Sequence, residues 1–104
     1  MEMRTQKNGN IAEVAVTGEM NIYSALELKA ALVAAIEGAE AVELDLSGVS
    51  EFDSSGAQLL LLARRECELA GKKLTLAGRS APVDSVIGLF NLGELFGSAR
   101  QGEA

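Results

Sequence analysis

Three short apolar runs of strand character, separated by two stretches of helical period, restrict the fold more than any other feature of this chain. Residues 11–17, IAEVAVT, alternate along the chain and are rich in β-branched side chains, the pattern of a half-buried strand. Residues 41–46, AVELDL, form a second such run and residues 73–77, KLTLA, a third. Between the first two, residues 24–37 place Ala25, Leu28, Leu32, Ala35 and Ile36 on one helical face. Ser24 is the predicted N-cap and Gly38 the predicted stop. A second helix is predicted from about Ser55 to Ala70, ending at Gly71. Strands alternating with helices call for right-handed crossovers and helices packed on a sheet. Residues 2–7 can pair with the first strand across Asn8-Gly9-Asn10, a hairpin signal, which makes the sheet mixed. The expected fold is α/β: a single-domain sandwich of a small mixed β-sheet with helices mainly on one side.

The connections are read from turn chemistry. Gly18 is expected to open a polar loop, GEMN, and the segment SGVSEFD to form turns after the second strand. Pro82 suits the first turn of a third helix reaching about Leu89 or Phe90. Residues 91–96 form a shorter helical or extended element. The domain is expected over residues 1–97, followed by a polar, disordered tail at 98–104.

Composition removes several function classes. A chain of 104 residues with a net charge of −6 holds one small domain, and lacks the clustered Lys and Arg that nucleic-acid phosphates require. No apolar run has the length of a membrane span or secretory segment. The single Cys67 has no partner for an internal disulfide, which fits a cytoplasmic setting. The chain has no histidine, and so lacks the commonest general base and transition-metal ligand. Neither a phosphate-cradling nor a dinucleotide-binding glycine pattern is present. No catalytic residue, metal site or cofactor is expected, and an enzyme is the weaker expectation.

The candidate site is the stretch EFDSSGAQLLLL, residues 51–62. On a helical wheel Gly56, Leu59, Leu60, Ala63, Cys67 and Ala70 form a small apolar face for the sheet. Ser55, Gln58, Leu62, Arg65 and Leu69 lie opposite, with Leu61 beside them. Those leucines are either ordinary single exposures or part of a partner surface. The pattern Ser55-Gly56-Ala57-Gln58 fits a capping box, with Ser55 as N-cap and Gln58 reaching back. Ser54 would then have no structural task, and a phosphate on it would add charge at the helix edge. Asp53 or Ser54 can equally be the cap, since Asp-Ser-Ser-Gly is ordinary turn chemistry.

The segments VTGEMNIYSALELKAAL, DLSGVSEFDSSGAQLLL and AGKKLTLAGRSAPVDSVIGLFNLGELF together resemble the STAS domain family, in particular the bacterial anti-sigma-factor antagonists. The resemblance spans about residues 10–97 and is most specific in Asp53-Ser54-Ser55-Gly56. It implies a non-catalytic partner switch. The unphosphorylated antagonist binds an anti-sigma factor that is also a serine kinase, and the sigma factor is released. Phosphorylation falls on the serine after the motif aspartate, Ser54, and a Ser/Thr phosphatase reverses it. The implied contact surface comprises Asn21 in the loop after the second strand, Asp53, Ser54, Ser55 and Gly56, and the helix residues Gln58, Leu61, Leu62 and Arg65. Two features differ from the family: Asn21 stands where an aspartate is common, and the chain after Phe96 is short. Alternatives are a STAS module in a chemotaxis-like or biofilm-control pathway, and a nucleotide or anion sensor using the same helix start. The leucine stripe can also drive weak self-association.

Overall fold

The computed structural model describes residues 1–96. Its elements, in chain order, are β1 (Glu2–Asn8), β2 (Ile11–Met20), α1 (Ala25–Glu37), β3 (Ala41–Phe52), α2 (Ser54–Leu69), β4 (Lys73–Arg79), α3 (Ala81–Leu89) and α4 (Gly93–Phe96). The strands lie side by side in the order β1-β2-β3-β4. The β1–β2 pair is antiparallel, and β2–β3 and β3–β4 are parallel. This is the small mixed sheet of an α/β domain. The tail expected at 98–104 lies outside the described residues.

The hairpin closes at Asn8 opposite Ile11. Gly9, at φ +65°, supplies the left-handed backbone that a two-residue turn needs. Even-numbered residues of β2 and β3 point to one side, and Val14, Val16, Val42, Leu44 and Leu46 are fully buried there. Leu28, Leu32 and Ile36 of α1, Leu60, Ala63 and Cys67 of α2, and Val83 and Ile87 of α3 complete the same core. Each large aliphatic side chain so buried contributes about 1.5–3 kcal/mol relative to exposure. The other side of the sheet carries an open groove lined largely by Arg4, Gln6, Glu13, Glu43 and Asp45.

Two strands run further than turn chemistry predicts. Gly18 does not open a loop: it sits inside β2 at φ +91°, beside a register shift between Gly18 and Glu19. Its positive φ serves an irregularity within the strand. Likewise SGVSEF is not a turn but the second half of β3, pairing Gly18 with Val49, Glu19 with Glu51 and Met20 with Phe52. Val49, Phe52 and Met20 are buried, so pairing and burial together override local turn propensity. Gly48 permits the close approach: a Cβ there would lie 2.7 Å from Thr17 Cγ2.

Helix ends follow identifiable motifs. After α2, the Gly71 amide donates to the Glu68 carbonyl and the Lys72 amide to the Cys67 carbonyl. Asn91 (φ +57°) and Leu92 repeat this arrangement after α3, donating to Gly88 and Ile87; both are Schellman closures. Lys72 also sends its ammonium back to the Ile36 and Glu37 carbonyls, placing a cation on the C-terminus of α1. Arg79 pairs with Asp84 of α3 at 3.2 Å and donates to the Phe96 carbonyl, which ties α3 and α4 to the end of β4.

Candidate functional site

Parallel pairing of β2 and β3 brings Met20 opposite Phe52, so the starts of α1 and α2 emerge side by side at one end of the sheet. The predicted site residues at 21 and at 53–65 are thereby assembled from two separate segments. Such placement at the carboxyl ends of parallel strands is the usual location of function in open α/β sheets.

At the α2 start the cap is Asp53. Its backbone is extended, and its carboxylate Oδ1 accepts from the amides of Ser55 at 2.9 Å and Gly56 at 3.4 Å. The Asp53 carbonyl accepts from the Ala57 amide at 3.1 Å. Ser54 is therefore the first helical residue and Ser55 the second, which corrects the capping box centred on Ser55. A carboxylate satisfies two otherwise unpaired amides and also complements the positive helix end. Gly56 is buried, and a Cβ on it would stand 2.6 Å from Phe52 Cε1. The missing side chain lets α2 rest on the Phe52 ring, which fixes where the helix begins.

Ser54 is exposed, and among the described residues its hydroxyl has no hydrogen-bond partner. Gln58, Leu61 and Arg65 are exposed on the helix that follows, while Ser55 and Leu62 are half-buried. Leu62 does not point outward with Leu61: it lines the seam with α1 beside Lys29 and Val33. Ala70, expected on the sheet side, is the exposed C-cap.

The loop before α1 is built around Asn21. Its side-chain oxygen accepts from the amides of Tyr23 at 2.9 Å and Ser24 at 3.3 Å. The Ser24 hydroxyl donates to the Glu19 carbonyl at 2.9 Å and accepts from the Asn21 amide at 3.1 Å. Ser24 thus stands at the expected N-cap position of α1, but its side chain staples the loop to the end of β2 and makes no cap hydrogen bond. Because the Asn21 side chain is committed to this Asx turn, its first duty is to shape the loop.

The shaped loop displays residues that the sequence reading passed over. Ile22 is 68%, Tyr23 91% and Leu26 79% exposed. Their signal was available: two large apolar residues interrupt a polar loop, and Leu26 lies off the Leu28/Leu32/Ile36 face. Ile22, Leu26 and Lys29 form one wall of an open groove of about 370 Å³, and Ser55, Gln58 and Leu62 form the other. Glu19 and Glu51, both exposed, are register partners at the adjoining strand ends. Among the described residues neither takes part in an ion pair.

Among the described residues no cluster of His, Cys, Asp and Glu could hold a metal ion, and no helix is long and apolar enough to cross a membrane. The two perturbed groups lie in other parts of the fold. Hydrogen bonds from the Ser47 hydroxyl and amide hold the Asp45 carboxyl below its usual pKa. Burial pushes the Cys67 thiol up. The end bearing Ser54 offers an accessible hydroxyl on a rigid helix start beside exposed apolar surface, an arrangement suited to modification and docking.

Comparison with known proteins gives the same frame. The model of the family described as "Mlab, STAS domain" matches residues 3–97. The anti-sigma factor antagonist SpoIIAA in its unphosphorylated form superposes with a TM-score of 0.78 at 22% identity, covering 98% of this chain and 91% of that one. The Bacillus SpoIIAA in its phosphorylated form gives a TM-score of 0.73 at 21% identity, covering 98% and 95%. An anti-sigma factor antagonist from Mycobacterium paratuberculosis gives 0.81 at 22% identity, covering 91% and 81%. A sulfate transporter family protein from Wolinella succinogenes gives 0.70 at 21% identity, covering 88% and 80%. At these identities the structural likeness concerns the fold.

Proposed function

We propose that this chain, which belongs to the STAS domain family, is a non-catalytic anti-sigma-factor antagonist that switches partners under reversible phosphorylation of Ser54. The observation that carries the reading is the Ser54 hydroxyl, exposed and unpartnered among the described residues, on the first helical residue of α2, next in sequence to Ser55 of the groove that Ile22 and Leu26 also line. The antagonist neighbours, one of them in a phosphorylated form, support it. In its unphosphorylated state the protein binds a cytoplasmic anti-sigma factor with serine kinase activity and frees the sigma factor. A Ser/Thr phosphatase restores that state, and the chain itself makes no contact with DNA.

The geometry suggests how a phosphate would act. Asp53 already occupies the amides of Ser55 and Gly56, so the phosphate is not needed by the helix end and remains on the surface. It adds about −1.5 to −2 charges beside Asp53 and Glu51, and must lose water if an apolar partner is to close over it. Partner affinity falls while the fold persists. The test is intact-mass analysis after incubation with ATP and the purified anti-sigma-factor kinases of the same genome. A single phosphate is expected on the wild type and none on Ser54→Ala. Absence of labelling, or labelling that survives Ser54→Ala, removes the reading.

The family description and the sulfate-transporter neighbour favour a second reading, a STAS subunit of a membrane transport assembly. Affinity purification from the source cells separates the two. Recovery of an integral membrane permease with its ATPase, in place of a sigma-regulating kinase, selects the second.

A further inference from the structure

We propose that this chain forms a two-fold dimer by antiparallel pairing of the free edges of β4, which joins two four-stranded sheets into one of eight strands. The inference does not depend on the functional reading, because the groove beside Ser54 and the groove at the β4 edge share no residue.

Three observations carry it. First, β4 ends the strand order and has no strand on its outer side. Its row of unpaired amides and carbonyls is a template for another strand. The two edges of the sheet are protected differently. β1 spreads Glu2, Arg4 and Lys7 along its length, and charged side chains discourage edge pairing. β4 carries charge only at its two ends, Lys73 and Arg79, with Leu-Thr-Leu-Ala-Gly between them. Second, α4 stands beside this edge without covering it. An open groove of about 450 Å³ lies between them, lined in part by the half-buried Leu74, Leu76 and Phe96 and by Leu95, which is 40% exposed. A strand laid along the edge would remove this apolar surface from water together with its own.

Third, the charges around the groove complement those of a second copy. The charged residues lining it are Lys73, Arg79 and Glu94. Arg79 is already held by Asp84 at 3.2 Å and by the Phe96 carbonyl. Lys73 and Glu94 take part in no ion pair among the described residues. Antiparallel pairing turns Lys73 of each copy toward the carboxyl end of the other β4, the end to which Arg79 ties the helix that bears Glu94. Opposite charges thus meet twice across one two-fold axis, as a self-complementary interface requires. Lys73 does not confront Arg79 of the other copy. The register shift after Leu44 leaves Lys73 level with Ala41 on the open face and Arg79 level with Leu46 on the helix face.

The test is sedimentation velocity of the full chain over a concentration series. A reversible monomer–dimer equilibrium is expected, with amide hydrogen exchange within Leu74–Gly78 slowing as concentration rises. Leu95→Glu puts a charge into the groove from an exposed position. It is expected to weaken the dimer about tenfold or more, while the dilute monomer unfolds as the wild type does. Lys73→Glu and Glu94→Lys are each expected to weaken the dimer, and the double variant to recover most of the wild-type affinity. Leu69→Ser, at an exposed apolar position on α2, is expected to leave it unchanged. A monomer at every concentration, a dimer indifferent to Leu95→Glu, a double variant no tighter than the single ones, or loss of the dimer in Leu69→Ser overturns the proposal.

Discussion

Asp53 shows how one side chain decides the roles of its neighbours. Both Asp53 and Ser55 are good N-caps by residue type, so local pattern left the helix start open by two positions. The choice is made by tertiary contact: Phe52 must reach the core, and the bare Cα of Gly56 must rest on its ring. Asp53→Ala is expected to cost about 0.5–2 kcal/mol in urea unfolding, the usual range for a lost cap. Ser55→Ala should change stability by only a few tenths of that scale. Gly56→Ala sets two effects against each other. Alanine gains up to about 1 kcal/mol in helix propensity, while its Cβ overpacks against the ring at a cost of about 1–3 kcal/mol. Net destabilisation is expected, and a stabilised variant would show that Phe52 can swing aside. Ser54→Asp should leave the unfolding midpoint near wild type while weakening binding of the anti-sigma-factor kinase in calorimetric titration. Loss of the fold in that variant would contradict the outward placement of Ser54.

At the scale of elements, periodicity predicted the central parts of the helices and strands, and tertiary pairing set their ends. The three strands and two long helices were legible because β-branched alternation and the Leu28/Leu32/Ile36 spacing are local properties. The second halves of β2 and β3 were not legible, because Gly18 and SGVSEF are turn formers in isolation and become strand only against each other. The same limit hid the groove between α1 and α2: Ile22 and Leu26 meet Ser55, Gln58 and Leu62 only when α2 is placed beside them. Lys72 is a further case, since its partners are 35 and 36 residues away. Replacing it by methionine keeps the aliphatic stem and removes the cation from the end of α1. A loss of about 1 kcal/mol in denaturant unfolding is expected. A Lys72→Arg variant that recovers most of it would confirm that the charge, not the stem, stabilises the helix end.

Across the whole molecule, the titratable groups predict the shape of stability against pH. With no histidine in the chain, no side chain with an ordinary pKa changes charge between about pH 6 and 8, so stability should be level there. On the acid side, Asp45 is held below its usual value by Ser47. Its contribution is present above the unfolded pKa of about 3.9 and is lost as pH falls through the lower folded value. On the alkaline side, burial raises Cys67. Its contribution is complete below the unfolded thiol pKa of about 8.5 and declines as pH rises toward the folded one, because the unfolded chain can ionise first. Urea midpoints across the pH range should therefore show a plateau with two falling limbs. Asp45→Asn is expected to make the acid limb shallower and Cys67→Ala the alkaline limb, each leaving the other limb in place. Asp45 is half-buried and bonded only to Ser47, two residues along β3, so its effect should be the smaller and more salt-sensitive of the two. A slope within the plateau would point instead to a strongly shifted carboxylate elsewhere.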